Sequence, residues 1–238
     1  MDDKIALVTG SNRGIGRNIA LRLADEVAGV IVHFNSDRKA ATNVVKEIEK
    51  KGKLSDCFQA DLTQEDQAYV FIREAEGKYS RIDILINNFG PILTKPWERL
   101  SAQDWDYTWR GNLGSAFYCI KAALPGMRCR KWGRIINMGY SRVEQLVAYR
   151  NIVPYAIAKT GLLILTRSVA SSVAPDGITV NMVSPGLIEG GVLPKDKNIP
   201  ASRLGTFDDV SSAVMSLVSD HARYITGTNL IVSGGWKI

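Results

Sequence analysis

Near its start the chain reads Ile5-Ala6-Leu7-Val8-Thr9-Gly10-Ser11-Asn12-Arg13-Gly14-Ile15-Gly16, and this stretch decides the fold. Its first five residues are an apolar, β-rich run that predicts a short buried strand. Three glycines then stand directly before a segment whose apolar residues repeat at helical spacing. Glycine lets the backbone turn tightly against a pyrophosphate, whose charge is favoured by the N–H groups at a helix start. The stretch therefore predicts a strand, a phosphate-binding turn and a helix in succession.

The same alternation of apolar runs and helix-period segments continues to the end of the chain, without a linker or an internal repeat. We predict strands at 5–9, 30–34, 55–59, 82–86, 134–138, 178–183 and 230–232, and helices at 15–27, 38–51, 64–78, 101–130, 154–174 and 207–219. Continuous Val, Ile and Leu runs are typical of strands covered on both faces. The sequence predicts an α/β fold, a single Rossmann-type domain over residues 1–238 in which a doubly wound parallel sheet carries helices on both faces.

Composition points to an ordinary water-exposed protein. The 238 residues are 45% hydrophobic and 23% charged, enough apolar material for a full core. The longest uncharged stretch, 224–236, is thirteen residues and falls short of the roughly 20 that a membrane helix needs. The start of the chain lacks the pattern of a signal peptide. Cys57, Cys119 and Cys129 share no CxxC spacing, so we expect reduced thiols, a cytoplasmic location and no membrane.

Charge and histidine content suggest no macromolecular or metal partner. The formal charge is +6 and the pI is about 9.2, but the basic residues are scattered and no nucleic-acid motif accompanies them. His33 and His221 are the only histidines, and neither lies in a cluster with ligand spacing. We expect His33 to be a core or surface histidine, and we expect neither a metal site nor a nucleic-acid partner.

Six segments in register resemble the short-chain dehydrogenase/reductase family over essentially the whole chain. The glycine turn matches the TGxxxGxG pattern of that family, and the further matching segments are Asp61-Leu62, Asn87-Asn88-Phe89-Gly90, Asn112, Tyr155-Ala156-Ile157-Ala158-Lys159 and Asn181 to Gly186. The resemblance implies that Asp61 holds an adenine edge and that Pro185-Gly186 with Ile188 flanks a nicotinamide. The implied cofactor-binding residues are Gly10, Asn12, Arg13, Gly14, Ile15, Gly16, Asn35, Ser36, Arg38, Asp61, Leu62, Asn88, Gly90, Tyr155, Lys159, Pro185, Gly186 and Ile188.

The end of the second strand indicates which dinucleotide is bound. An NAD-dependent enzyme of this type carries an acidic residue there, which hydrogen-bonds the ribose 2′-hydroxyl. This chain has Phe34 at that position, and Arg13 and Arg38 are near enough in sequence to pair with a 2′-phosphate. We therefore expect NADP(H) as the cofactor. Asp37 leaves an alternative open, because its carboxylate could turn toward the ribose.

Tyr155 and Lys159 are the predicted chemical centre. Residues four apart on a helix share one face, and a neighbouring ammonium lowers the pKa of a phenol. We expect this pair to make Tyr155 a usable acid near neutral pH, protonating a carbonyl oxygen as NADPH delivers hydride to the carbon. By resemblance, Lys159 also holds the nicotinamide ribose and Asn112 positions a water that relays protons.

The chain lacks one residue of the family pattern, a serine. Members of the family place a serine just past the fifth strand, about thirteen residues before the tyrosine. This chain reads Asn137-Met138-Gly139-Tyr140-Ser141-Arg142, and counting from the strand puts Tyr140 at the serine position while counting back from Tyr155 gives Arg142. We assign the missing hydroxyl to Ser141, with Tyr140 as the alternative. Phe89 also replaces a usual alanine, and Gly190 replaces a usual threonine.

Within the family, the chain resembles bacterial 3-oxoacyl-(acyl carrier protein) reductases through the 133–137, 177–181 and 224–227 segments. The substrate implied is an acyl-carrier-linked or small-molecule carbonyl, and a basic cluster is available to meet an acidic carrier: Arg128, Arg130, Lys131 and Arg134. That cluster equally suits a solvated helix end, and Asp176 nearby weakens carrier docking. Two alternatives stay open: a pteridine reductase with Phe89 or Tyr140 stacking a flat ring, and a non-catalytic NADP-binding sensor or scaffold.

Assembly and pocket shape complete the expectations. Family members commonly associate through the helices at 101–130 and 154–174, so we expect a homodimer or homotetramer. The apolar residues that suggest it are Leu162, Leu163, Leu165, Trp105 and Trp109. The short polar segment 191–200 predicts an open, shallow pocket beneath a mobile loop.

Overall fold

Seven parallel strands form one sheet in the computed structural model, which describes residues 1–191 and 198–237. The strands are β1 (Ile5–Val8), β2 (Gly29–Phe34), β3 (Leu54–Gln59), β4 (Ile84–Asn87), β5 (Gly133–Met138), β6 (Ile178–Pro185) and β7 (Asn229–Val232). They follow the order β3-β2-β1-β4-β5-β6-β7 across the sheet, and each adjacent pair is parallel. The predicted doubly wound α/β sheet is confirmed, and each predicted strand lies within two residues of its observed bounds.

Helices cover both faces of this sheet. They are α1 (Gly14–Leu23), α2 (Arg38–Glu49), α3 (Glu65–Tyr79), α4 (Ala102–Trp109), α5 (Ser115–Arg130), α6 (Val153–Val173) and α7 (Phe207–Val218). Successive residues of β1 point to opposite faces, as a strand requires. Ala6 and Val8 pack in the core cluster that contains α1 and α7 residues, whereas Ile5 and Leu7 pack in the cluster that contains α3 and α5 residues. The sheet therefore separates two apolar layers.

The segment 101–130 was predicted as one helix, and the structure divides it. A π-helical turn, Arg110–Gly114, lies between α4 and α5. A Cβ on Gly111 would lie 2.5 Å from Pro91 Cδ, so this turn presses against the loop after β4. The side chain of Asn112 donates to Pro91 O and to Thr108 O, at 2.8 and 2.9 Å. Such single π turns often mark functional sites.

A buried carboxylate joins the strands at their amino ends. Asp83 has no exposed surface, and its side chain accepts hydrogen bonds from the Ile5 N–H and from the guanidinium groups of Arg81 and Arg130. Its backbone O accepts from the Arg134 N–H at 2.9 Å. One aspartate thus ties the starts of β1, β4 and β5, which leaves the opposite ends of the strands to the loops.

One helical segment, Val153–Asp176, is long and apolar enough to cross a membrane by length and composition alone. It packs in the core, however, with Leu162 and Leu163 buried beside Met182 of β6. A helix packed in a protein core passes the same composition test. The buried residues of α6 are therefore accounted for by the sheet beneath them.

The direction of winding reverses between β1 and β4. These strands are neighbours in the sheet, but the chain continues from β1 toward β2 on one side and from β4 toward β5 on the other. The chain leaves the two carboxyl ends toward opposite sides of the sheet, which opens a crevice there. Ligands of open α/β sheets bind in this kind of crevice.

Candidate active site

A cavity of about 510 Å³ lies at the carboxyl ends of the strands. This volume is within the usual range for a small-molecule or cofactor site. Many of the residues predicted from the sequence line it: Gly10, Asn12, Arg13, Gly14, Ile15, Gly16, Asn35, Ser36, Asn88, Gly90, Tyr155, Lys159, Pro185 and Ile188. Residues far apart in the chain thus meet in one crevice, as the βαβ pattern predicts.

The glycine turn is shaped to receive a phosphate group. Gly10 and Gly14 have φ angles of +60° and +57°, in the left-handed region that favours glycine. A Cβ on Gly14 would meet no atom within 4 Å, so its backbone faces open space. No side chain caps the start of α1, and unsatisfied N–H groups at a helix start attract anions. These features fit the pyrophosphate of a dinucleotide.

Asn88 joins this turn to the loop that follows β4. Its Nδ2 donates to Thr9 O and to Gly10 O, at 2.9 and 3.1 Å. The Thr9 hydroxyl accepts in return from the N–H groups of Asn88 and Phe89, each at 2.9 Å. A Cβ on Gly16 would lie 2.4 Å from Asn88 Nδ2, so α1 and this amide can be neighbours only through glycine. The two loops are one hydrogen-bonded unit.

His33 supports the glycine turn from behind, a role that the sequence analysis missed. Its Nδ1 accepts from the Gly10 N–H at 2.9 Å, and its Nε2 lies 3.1 Å from Ala60 O. This arrangement selects the neutral imidazole with its proton on Nε2. Burial lowers the pKa of His33 to about 4. The ring also lies 6.2 Å from the Phe89 ring, edge to face, so Phe89 packs behind the turn instead of standing free to stack a substrate.

The end of β2 offers no carboxylate that is free for a ribose. Phe34 is buried, and Asn35 and Ser36 line the cavity after it. Asp37 also lies at the cavity, but its carboxylate accepts from the Ala40 N–H at 2.9 Å and caps α2. Arg13 lines the cavity and makes no ion pair with the residues that the structure describes. Arg13 is therefore a cation that could meet an anionic group at this end of the cavity, while one oxygen of Asp37 is held by α2.

Arg38 has a different position from the one expected. Its guanidinium lies over the Phe34 ring, 5.3 Å from the ring centroid, and Arg38 is absent from the residues that line the cavity. Stacking on an aromatic face satisfies part of the guanidinium surface. Arg13 is accordingly the better placed of the two arginines to meet an anionic group in the cavity.

Tyr155 and Lys159 both line the cavity, as predicted. The Lys159 Nζ lies 5.7 Å from the Tyr155 ring centroid and donates to Met138 O at 2.6 Å. Burial lowers the pKa of Lys159 to about 7 and raises the pKa of Tyr155 above its ordinary value. The expectation that Lys159 lowers the pKa of Tyr155 is therefore wrong for this structure, because desolvation dominates and the ammonium points to a carbonyl. Tyr155 keeps its proton at neutral pH.

Asn112 stands behind Gly90 beside this pair. Its side-chain Oδ1 is buried and has no hydrogen-bond partner, although its amide Nδ2 is fully used. A Cβ on Gly90 would lie 2.4 Å from Asn112 Oδ1 and 3.2 Å from Lys159 Nζ. An unpaired buried acceptor next to an ammonium is a ready place for a water molecule. The geometry thus agrees with the water-positioning role that the resemblance implies for Asn112.

The loop after β5 presents a tyrosine to the site. The Tyr140 and Tyr155 rings are 5.6 Å apart, edge to face. The Tyr140 hydroxyl donates to the hydroxyl of Tyr149 at 2.9 Å. Ser141 is buried, and its Oγ has no hydrogen-bond partner among the described residues. Neither Tyr140 nor Ser141 is among the residues that line the cavity.

Other predicted residues also lie outside the cavity lining. Leu62 is buried in the core, and the Asp61 carboxylate accepts from the backbone and hydroxyl of Thr63. A Cβ on Gly186 would lie 2.7 Å from Ser233 Cβ, so this glycine packs on the loop after β7. Cavity residues that the sequence analysis did not assign include Tyr107, Met138, Glu189 and Phe207. Most of the loop predicted to be mobile, residues 192–197, lies outside the described residues.

The basic cluster considered for carrier docking lies at the other end of the sheet, where β5 begins. Its four members are paired: Arg128 and Lys131 with Asp176, Arg130 with Asp83, and Arg134 with Asp220. Each of the four cations thus has a carboxylate partner on the protein, and none of the four lines the cavity. Within residues 1–191 and 198–237, no group of three His, Cys, Asp or Glu side chains is placed to hold a metal ion.

The buried, neutral His33 makes stability depend on pH. A histidine whose pKa falls from 6.5 to about 4 on folding takes up a proton more readily when unfolded. The free energy of unfolding should therefore fall as the pH drops below about 6.5, with a limit of roughly 3 kcal/mol near pH 4. His33→Asn keeps an acceptor for the Gly10 N–H without titrating. Measured by urea unfolding, the free energy of unfolding of this variant should decline less between pH 6.5 and 5 than that of the native protein. If the two free energies decline in parallel, His33 is not the neutral, buried group described here.

Comparisons with known proteins identify the family of this chain. The family described as Enoyl-(Acyl carrier protein) reductase matches residues 10–237. The 3-oxoacyl-[acyl-carrier-protein] reductase FabG of Staphylococcus aureus is 38% identical over 241 residues, 98% of this chain and 97% of the relative. Its counterpart in Haemophilus influenzae is 37% identical over 247 residues, 99% of this chain and 98% of the relative.

Solved structures show the same architecture. A blue fluorescent protein from a metagenomic library, in complex with NADPH, superimposes with a TM-score of 0.92 at 31% identity, covering 100% of this chain and 99% of the other. Acetoin dehydrogenase YohF from Salmonella typhimurium gives 0.90 at 30% identity, covering 98% and 96%. Because a family matches nearly the whole chain and full-length relatives exceed 30% identity, the chain belongs to the short-chain dehydrogenase/reductase family.

Proposed function

We propose that this chain is an NADPH-dependent reductase of 3-oxoacyl groups, carried by an acyl carrier protein or presented as small ketones. The observation that carries the proposal is the meeting of Tyr155, Lys159 and the glycine turn in one cavity. The identity to 3-oxoacyl-[acyl-carrier-protein] reductases over almost the full chain supports the substrate class. The cytoplasm is the location we propose, consistent with three cysteines that are all free.

The chain's own residues supply binding and proton transfer. NADPH, when bound, supplies the hydride that reduces the carbonyl carbon, and is oxidised to NADP⁺. Tyr155 carries its proton at neutral pH, as a phenol does, and would be the acid that protonates the carbonyl oxygen. Burial raises its pKa, so its proton transfer would rely on hydride arrival making the oxygen strongly basic. Lys159 would hold the cofactor ribose, and Asn112 Oδ1 would hold a water that returns a proton to the site. Hydride on carbon and a proton on oxygen together convert the carbonyl to an alcohol.

The phosphate and adenosine groups would lie along α1 and β2. The uncapped start of α1 would hold the pyrophosphate. Arg13 is free of ion pairs in the described chain and would pair with the 2′-phosphate. Asp37 Oδ1 is held by the Ala40 N–H at the start of α2, which directs that oxygen to the helix and away from a ribose hydroxyl. These contacts support NADPH over NADH.

We also propose that the chain is a homodimer or homotetramer. Leu162 and Leu163, which the sequence suggested for the interface, are buried in the core of the subunit. Trp105 and Trp109, which the sequence also suggested, are exposed. Further large apolar residues are exposed on α5, α6 and the loop after β5: Phe117, Leu146, Ile157 and Ile164. Monomers seldom expose so many large apolar side chains on one region.

The first test of the proposed function uses Tyr155→Phe. This change removes the only acid assigned to the carbonyl oxygen, so turnover should fall by about 10³-fold while NADPH affinity stays unchanged. Tyr224→Phe makes the same change on a residue that is 99% exposed and serves as the control. The measurement is NADPH absorbance decay with short β-ketoesters, quinones and pterins. No decay with any carbonyl would contradict the reductase assignment, and a preference for pterins would favour the pteridine alternative.

The second test concerns cofactor choice. NADPH should bind at least tenfold more tightly than NADH, a difference of about 1.4 kcal/mol. Arg13→Ala should remove most of this preference because it deletes the cation that meets the 2′-phosphate. Arg73→Ala removes an exposed charge on α3 and should leave both affinities as they are. Fluorescence titration measures the affinity of each of the three proteins for both cofactors. Equal affinities of the native protein for NADPH and NADH would refute the assignment.

The third test concerns assembly. Light scattering should give a mass at least twice the 26.2 kDa of one chain. Ile164→Glu places a charge in the exposed apolar region of α6, where Ile164 is 64% exposed, and should lower that mass. Val70→Glu is the matched control on α3, where Val70 is 53% exposed. A native mass near that of a single chain at micromolar concentration would show that the proposed assembly is wrong.

A further inference from the structure

The loop after β5 contains two tyrosines that continue a row of contacts from Tyr155, although neither is among the residues that line the cavity. Tyr140 contacts Tyr155 edge to face, and the Tyr149 hydroxyl lies 2.9 Å from the Tyr140 hydroxyl. The Arg142 guanidinium lies over the Tyr149 ring, 5.3 Å from its centroid. Arg142 also donates to Gln145 Oε1 at 2.8 Å, so the loop fastens Tyr149 from its far side.

The backbone of this loop separates its two candidate hydroxyls. The Gly139 N–H donates to Val183 O and the Ser141 N–H donates to Pro185 O, at 2.8 and 2.9 Å. The Val143 N–H then donates to Tyr140 O at 3.0 Å, so the chain turns here and the side-chain alternation of β5 does not continue through the loop. Of the two residues, Tyr140 has an observed contact with Tyr155, ring to ring.

From this geometry we propose that the phenol of Tyr140 replaces the missing serine as the second hydrogen-bond donor to the substrate oxygen, and that Tyr149 is the residue that positions it. The inference rests on the proposed reduction and adds its second donor. A phenol both donates and accepts. Turning the two O–H bonds lets Tyr149 donate to Tyr140 and frees the Tyr140 O–H to donate to a substrate oxygen bound at Tyr155. Such a chain strengthens each bond.

The charge state of the pair suits this role. Burial, followed by the hydrogen bond to Tyr149, raises the pKa of Tyr140 above its ordinary value. The groups that face it are Tyr149, Tyr155 and Arg142. Of these, the phenol of Tyr155 also has a pKa raised by burial. Both site phenols therefore stay neutral and able to donate, as the hydroxyl of a serine would.

The test compares kcat and KM for ethyl acetoacetate with NADPH. Tyr140→Phe should lower kcat by about 10²-fold, the usual effect of removing one such donor. Tyr140→Ser should retain more activity than Tyr140→Phe, because it restores a short hydroxyl at the same position. If Tyr140 acted by packing alone, the order of these two variants would be reversed, and the proposal would be overturned.

The positioning role of Tyr149 is tested by a double-mutant cycle. Tyr149→Phe should lower kcat about five- to tenfold with little change in KM, in the native background. In the Tyr140→Phe and Tyr140→Ser backgrounds the same change should have no further effect, since neither side chain can bond to Tyr149. Additive losses would show that Tyr149 acts independently. Ser141→Ala is the competing variant: a 10²-fold loss there, with Tyr140→Phe close to native, would assign the donor to Ser141.

A binding measurement separates this proposal from the proposed function. The affinity of ethyl acetoacetate for the NADP⁺ complex, measured by calorimetry, requires no turnover. Tyr140→Phe should weaken it at least twofold, and Tyr224→Phe should leave it unchanged. A native protein that reduces no carbonyl but shows this difference would refute the reductase assignment and support the donor. Equal affinities in all three proteins, with active native enzyme, would refute the donor alone.

Discussion

The hydrogen bonds between the Thr9–Gly10 turn and Asn88 are the constraint on which the whole site depends. They join the loops that follow β1 and β4 at the point where the winding of the sheet reverses. Without this join, the two loops would diverge and their N–H and C=O groups would need other partners. With it, the start of α1 forms one wall of the cavity, and Gly90 with Asn112 behind it forms the other. The Asn88 amide and the Thr9 hydroxyl thus fix the distance between the phosphate-binding turn and the wall formed by Gly90 and Asn112.

The sequence was sufficient for the fold because the signals are local. Apolar runs such as Ile5–Val8 and the glycines of the following turn depend only on neighbours in the chain. The break in the predicted helix 101–130 was not visible, because it arises where Gly111 meets Pro91 from another loop. The same limit hid the role of His33. Nothing near it in sequence shows that its ring accepts from the Gly10 N–H.

Orientation was the part of the site that spacing could not provide. The interval between Tyr155 and Lys159 places both on one face of α6, but it does not show that the ammonium donates to Met138 O. Likewise, counting along the chain left Tyr140 and Ser141 as alternatives. What favours Tyr140 in our proposal is its ring contact with Tyr155, which exists only in the folded loop. The pKa values and hydrogen bonds of these residues depend on the orientation of their side chains, and that orientation is set only when the chain folds.

The Asp83 cluster has a consequence for how this protein can change over time. It ties β1, β4 and β5 together at the end of the sheet remote from the cavity, and its arginine partners come from the neighbouring chain segments. Among residues 1–191 and 198–237, the loops that line the cavity make no hydrogen bond to Asp83. Insertions, deletions and side-chain exchanges in those loops can therefore accumulate without loosening the anchored end. Substrate specificity can therefore change during evolution while the sheet stays intact. The same holds for laboratory selection of new specificities in these loops.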